Sequence, residues 1–230
     1  MYKHVFLDFD DTIYDTKGNA SEALFELFEA FALGRYFENF EIFANNYWKR
    51  NVEVWALYSK GLMDKPTLIK ERFRYPFQCK GIDVTDEFLL ELNDWFLEKT
   101  STKRKLVEGA IELLQYLNSK YEVHMLSNGF EQVQYAKMRN SGVEQYFKEV
   151  ILSDHIGVNK PDKAIFDYAI EKTGALLSES IMIGDNMDTD IIGAKNYGMD
   201  QLYFNNGLNL TEICKPTYEV KSLGEIMNIL

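Results

Sequence analysis

Short apolar runs recur along this chain, each closing on a residue that carries chemistry and each separated from the next by an amphipathic stretch. His4–Leu7 and residues 121–126, 150–152, 180–183 and 202–204 read as strands. Residues 108–118, 130–140, 163–173, 189–197 and 223–230 read as helices, with Gly142 and Gly198 placed to stop two of them and Pro161 to start another. Crossovers of this length join parallel strands, so the expected fold is α/β: a parallel, Rossmann-like sheet with helices on both faces. The second strand does not begin until residue 121, so something large is inserted after the first. The insert is aromatic-rich and helical in pattern. Ala23, Leu24, Leu27, Phe28 and Phe31 fall at three- and four-residue spacings, as do Phe43, Tyr47, Asn51 and Val54 more loosely. Residues 66–77 and 85–98 read as further helices, punctuated by Gly61, Pro66, Pro76 and Gly81. The expected division is a core of residues 1–16 and 100–230 with a helical bundle of 17–99.

Composition narrows the partners. Lys plus Arg number 25 against 36 Asp plus Glu, a net charge of −11. That balance opposes a nucleic-acid polymer or an anionic membrane as partner, because both reward clustered cations. It allows a small phosphorylated metabolite, which one lysine and a metal ion can hold locally. Cys79 and Cys214 are isolated, which argues against a disulfide framework or a zinc knuckle and points to a reducing, cytoplasmic location. No run approaches the roughly 18 apolar residues of a membrane span. A monomer or weak homodimer is expected.

In open parallel sheets ligands bind beyond the carboxyl ends of the strands. Here those ends supply Asp8, Asp10, Asp11 and Thr12; Ser127, Asn128 and Gly129; Ser153 and Asp154, with Lys160 soon after; and Gly184, Asp185, Asp188 and Asp190. Asp8 and Asp10 stand two apart, so in an extended chain both side chains face the same way and repel. One must be neutralised by a cation or carry a raised pKa. Asp185 brings a third negative charge, more than one lysine balances, and an all-oxygen ligand set suits Mg²⁺. Ser127, Asn128 and Gly129 open a helix and can receive an anion, although the same tripeptide is an ordinary turn. Asp188 and Thr189 read better as helix caps than as chemistry. His4, His124 and His155 read as packing residues, and the aromatics of the insert as core. Arg72 could meet a phosphate or a base, or sit in a surface ion pair.

Taken in order, these residues resemble the four motifs of the haloacid dehalogenase superfamily. Asp8-x-Asp10-x-Thr12 is similar to the first, Ser127 to the second, Lys160 to the third, and Gly184-Asp185 with Asp190 to the fourth. The insert lies where that superfamily carries a helical cap. Ser-Asn-Gly-Phe at 127–130, Gly-Val-Asn-Lys-Pro at 157–161 and Trp55-x-x-Tyr58-x-x-Gly61 with Arg72-Phe73 resemble its noncanonical pyrimidine nucleotidase branch.

The resemblance implies a Mg²⁺-dependent phosphatase of small phosphomonoesters, nucleoside 5′-monophosphates foremost, working through an aspartyl-phosphate. Asp8 would be the nucleophile and Asp10 the acid and base, with Ser127 and Lys160 holding the phosphoryl group. Asp8, the Asp10 carbonyl and Asp185 would hold the ion, with Asp190 acting through water or Lys160. Asp11, Thr12, Asn128, Gly129 and Arg72 would face substrate, and opening and closing of the cap would exclude water. A sugar-phosphate phosphatase or a phosphomutase shares the same acid–base pair and is the alternative. A dehalogenase would need neither an acid at Asp10 nor a metal.

Overall fold

A computed structural model describes residues 1–205, 207 and 214–230. They divide into two compact units, one of Met1–Thr16 with Arg104–Leu230 and one of Lys17–Lys103.

The first unit alternates β1 (His4–Leu7), α5 (Ala110–Lys120), β2 (Glu122–Ser127), α6 (Glu131–Ser141), β3 (Glu149–Leu152), α7 (Lys163–Thr173), β4 (Ser180–Gly184), α8 (Ile192–Tyr197), β5 (Asp200–Phe204), β6 (Tyr218–Val220) and α9 (Leu223–Ile226). The helices α1 to α4 belong to the second unit. All strand pairs are parallel, in the order β3-β2-β1-β4-β5-β6. The strand period of two sends Val5 and Leu7 to one face, where they pack with Val123, Ile183, Leu113 and Leu117. Phe6 goes to the other, against Met182, Ile165, Phe166 and Ala194. Each such side chain contributes about 1.5–3 kcal/mol when fully buried. Together they fix β1 in the middle of the sheet.

Three local readings are corrected. Residues 187–191 form a π-helical turn before α8 starts, so the chain between β4 and that helix is wound more widely than an α-helix. Pro161 precedes α7 rather than occupying its first turn; Asp162 is the N-cap, accepting from Ala164 N–H. The last helix covers only Leu223–Ile226, and the edge strand β6 was not foreseen, since three residues carry almost no alternation.

The second unit is entirely helical: α1 (Thr16–Ala30, beginning one residue before the boundary), α2 (Phe40–Ser59), α3 (Lys65–Gln78) and α4 (Asp86–Thr102). Asn39, Asp64 and Thr85 cap the last three through side-chain oxygens. Pro76 lies inside α3, two residues from its end, and the helix stops close to the expected residue 77. Phe43, Tyr47, Phe73, Phe77 and Phe96 build the core, mostly as tilted and edge-to-face ring pairs. The core-forming role expected of Tyr47 and Phe73 holds.

Candidate active site

The strand order reverses between β1 and β4, and in open sheets that crevice is where ligands bind. Asp8 follows β1, its amide still bonded to Ile183 O of β4 at 2.8 Å, so the sheet ladder itself sets its position. Asp185 follows β4. Ser127 closes β2 between them and β3.

Lys160 is the centre of one half of the rim. It is 1% exposed, and its Nζ reaches Asp8 Oδ1 at 2.7 Å, Asp190 Oδ1 at 2.7 Å and Leu126 O at 2.6 Å. Three acceptors saturate an ammonium's three N–H groups. Burial opposes its charge, but Asp190 and Asp8 outweigh burial and hold it protonated, with its pKa raised. Its backbone is clamped as well: Lys160 N–H donates to Asn128 Oδ1 at 2.7 Å, and Asn128 Nδ2 donates to Lys160 O at 2.9 Å. Asn128 was expected to face substrate; its amide is instead committed to placing the lysine.

Asp190 is wholly buried and committed. Oδ1 accepts from Lys160 and from Thr189 Oγ1, while Oδ2 accepts from Asn186 N–H at 3.1 Å. Only a glycine lets it approach, since a β-carbon on Gly184 would lie 2.2 Å from Asp190 Oδ2. The cap of this turn is Asn186, which accepts from the amides of Asp188 and Thr189, the two residues expected to cap it themselves.

Asp8, Asp185 and Asp190 each place an oxygen within 4.8 Å of the others. Burial, opposed by Lys160 and reinforced by Asp190 and Asp10, pushes the Asp8 carboxyl up to about 8. Asp185 is raised well above the carboxylate range by burial and then by Asp8, Asp190 and Asp11, against the pull of the Thr12 hydroxyl. Thr12, fully buried, donates to Asp185 Oδ1 at 3.1 Å, so its hydroxyl steadies that carboxylate rather than a substrate. Asp11 sits at positive φ (59°), a backbone form uncommon outside glycine, where the chain turns after β1.

Three carboxylates against one ammonium leave two formal negative charges uncompensated in a buried space. The residues therefore fit a divalent cation, and a hard one, because the donors are all oxygen. Asp8 and Asp185 are the carboxylates placed to hold it, since both oxygens of Asp190 are already engaged.

Asp10 belongs to a second half of the rim. Lys137 Nζ binds its Oδ1 at 2.6 Å, Thr16 Oγ1 donates to the same oxygen, and Gln134 Nε2 donates to Oδ2. Burial works against this charge, yet Lys137, Thr16 and Gln134 outweigh it and keep the Asp10 carboxyl below its ordinary range. Asp10 is thus met by a cation while Asp8, which Asp10 still repels, is the carboxyl that is raised, as expected of two carboxylates two residues apart. Gln134 also donates to Ser127 Oγ at 2.9 Å, joining Asp10 to the serine through one amide nitrogen. Gly129 makes room for it: a β-carbon there would lie 1.8 Å from Gln134 Nε2. Gly129 N–H bonds Ser127 Oγ at 3.0 Å.

Sequence reasoning missed Gln134 and Lys137. They lie three apart on α6, one helix face, and both are buried. A helix whose inner face carries an amide and an ammonium was the available signal. Arg72 lies in the second unit, 3% exposed, with its guanidinium bonded to Asn93 and set 5.3–5.5 Å from the rings of Phe96 and Phe73. The expected substrate contact gives way to a packing role. His155 accepts from Leu152 N–H at 3.3 Å, as a structural histidine does.

This constellation has relatives. A family model for haloacid dehalogenase-like hydrolases matches residues 2–198. The HAD-hydrolase YfnB of Bacillus subtilis is 30% identical over 237 residues, covering 100% of this chain and 95% of its own. A crystal structure of YfnB bound to magnesium superposes with a TM-score of 0.89 at 26% identity, covering 100% and 98% of the two chains. The pyrimidine 5′-nucleotidase YjjG of Escherichia coli is 27% identical over 98% of this chain and 96% of its own. The glyceraldehyde 3-phosphate phosphatase of Methanothermobacter thermautotrophicus is 29% identical over 92% and 89%. With Asp8 at the end of β1, a lysine-clamped Asp190 and relatives that match along nearly their whole length, the chain belongs to the haloacid dehalogenase-like hydrolases.

Proposed function

We propose that this hydrolase removes phosphate from small phosphomonoesters, nucleoside 5′-monophosphates foremost, through a phosphorylated Asp8 and with Mg²⁺ as cofactor. The observation that carries the reading is the Lys160 nest. One ammonium holds Asp8 and Asp190 at 2.7 Å while Asp8 and Asp185 share an uncompensated charge. When bound between Asp8 and Asp185, with the Asp10 carbonyl as a further ligand, Mg²⁺ would offset that charge and draw negative charge from the transferring phosphoryl oxygens.

The chain's own residues do the rest. Lys160 takes Asp8 Oδ1 and leaves Oδ2 to attack phosphorus, the covalent route open to a carboxylate. Asp10, ionised in the free site, takes up a proton as substrate binds and passes it to the departing alkoxide as the new P–O bond forms and the ester P–O bond breaks. Water then attacks the phosphorus, surrenders a proton to Asp10, and releases phosphate from Asp8. Positioned proton transfer of this kind is worth about 10²–10⁴ in rate. Ser127 Oγ and the Asn128 backbone amide serve the phosphoryl oxygens, with Lys160 adding positive charge. Gln134 and Lys137 fix the Asp10 carboxylate for both transfers.

YjjG supports a nucleotide substrate, and the Methanothermobacter relative supports a triose phosphate as the second reading. A phosphate-release screen over nucleoside 5′-monophosphates, triose phosphates and hexose phosphates, with Mg²⁺ and with chelator, separates them. Fastest release from pyrimidine 5′-monophosphates is the expected result. Preference for a triose phosphate would move the substrate to the second reading, and conversion of a sugar phosphate to its isomer would reveal a mutase.

A further inference from the structure

The opposite end of the same two strands holds a second convergence that the phosphatase chemistry does not use. β1 begins at His4, which pairs in register with Glu122 at the start of β2, while His124 pairs with Phe6. The strand period of two puts His4, Glu122 and His124 on one face of the sheet. His4 lies four residues from Asp8, about 13 Å along the strand, so this cluster is separate from the catalytic rim.

His4 Nδ1 is 3.2 Å from His124 Nε2 and 3.4 Å from Glu122 Oε2. The three residues each offer a ligand atom within 4.8 Å of the others. Around a tetrahedral Zn²⁺ with bonds of about 2.0–2.1 Å, neighbouring donors stand about 3.3 Å apart. Two of the three edges already have that length. The third closes by a small swing of Glu122, whose side chain is 43% exposed. Lys148 Nζ holds its other oxygen, Oε1, at 2.6 Å and steadies the carboxylate.

With His4 protonated on Nε2 and His124 on Nδ1, the lone pairs of His4 Nδ1 and His124 Nε2 converge with Glu122 Oε2, the arrangement that a cation would meet. His124 is fully buried against the Phe6 ring at 5.2 Å.

We infer that His4, Glu122 and His124 form a binding site for a divalent transition metal of zinc-like softness, completed by solvent, that ties the amino ends of β1 and β2 together. Two imidazoles and one carboxylate are a ligand set for Zn²⁺ and its neighbours, whereas the all-oxygen rim suits Mg²⁺.

Equilibrium dialysis of the full chain against Zn²⁺, in millimolar Mg²⁺ to occupy the oxygen-only cluster, tests this. One Zn²⁺ per chain is expected. Co²⁺ in its place should give the strong visible bands of a four-coordinate centre, and Zn²⁺ should raise Tm. His4→Gln and His124→Phe should each weaken binding by more than the roughly 10–100-fold that losing an outer partner costs. Glu122→Gln changes a half-exposed residue and guards against loss of fold: with an unaltered circular dichroism spectrum and metal-free Tm, it too should lose affinity. Zn²⁺ binding undiminished in His4→Gln and Glu122→Gln, as it would be on Cys79, or absent from the parent chain, would overturn the assignment.

Discussion

Asp8 and Asp10 leave one strand two residues apart and arrive in opposite electrostatic states. Asp8 shares Lys160 with a second buried carboxylate, stands beside a third, and is pushed up to about 8. Asp10 has Lys137 on one oxygen, Gln134 on the other and the Thr16 hydroxyl besides, and is held below its usual range. Proximity in sequence therefore says little about charge; the count of partners decides it. The Lys160 half carries surplus negative charge, which a cation can meet, and the Lys137 half is balanced. The mechanism proposed for Asp8 and Asp10 asks for these two environments.

The strongest way to break the comparison is at the nucleophile. Asp8→Asn should lower turnover of the best substrate by roughly 10⁴-fold or more in steady-state assays. Activity near that of the parent would remove Asp8 from its role.

The two lysines offer a sharper contrast. Lys160→Met strands Asp8 and Asp190 in the interior and should cost about 3 kcal/mol or more in urea unfolding. Lys137→Met leaves one carboxylate whose side chain is 28% exposed, with Gln134 and Thr16 still donating, and should cost about 1–2 kcal/mol. Equal losses would mean that the halves do not differ as described.

Much of this difference was legible in the sequence, but not all. The apolar strands and the residues closing them pointed to the rim, and the resemblance assigned Lys160, because a strand's period and its last residue are both local signals. Lys137 and Gln134 escaped because a polar residue on a helix reads as solvent-facing until the fold shows which face is inward. Arg72 escaped for the converse reason: an arginine reads as available, yet here the aromatic core takes its guanidinium between Phe73 and Phe96. Asn128 and Thr12 lay in the right place with the wrong duty. Their bonds to Lys160 and Asp185 join segments 32 and 173 residues apart, and no local pattern encodes such pairs.

A smaller effect probes the surplus charge. Chelation should silence the enzyme, and Mg²⁺ should restore it. Asp185→Asn relieves the repulsion, so its metal-free Tm should exceed that of the parent, at about 2–4 °C per kcal/mol. The Mg²⁺-induced rise in Tm should shrink in that variant. An undiminished rise would place the ion elsewhere.

The division of labour between the two carboxylates is tested most directly by acid-quenching the enzyme during turnover of p-nitrophenyl phosphate, whose leaving group needs no proton, and locating covalent phosphate by mass spectrometry. Asp10→Asn should accumulate phosphate on Asp8, because attack proceeds while the water step has lost its base; Asp8→Asn should carry none. Absence of a phosphorylated Asp8 in Asp10→Asn, with p-nitrophenol still released in a burst, or phosphate on another residue, would contradict the account.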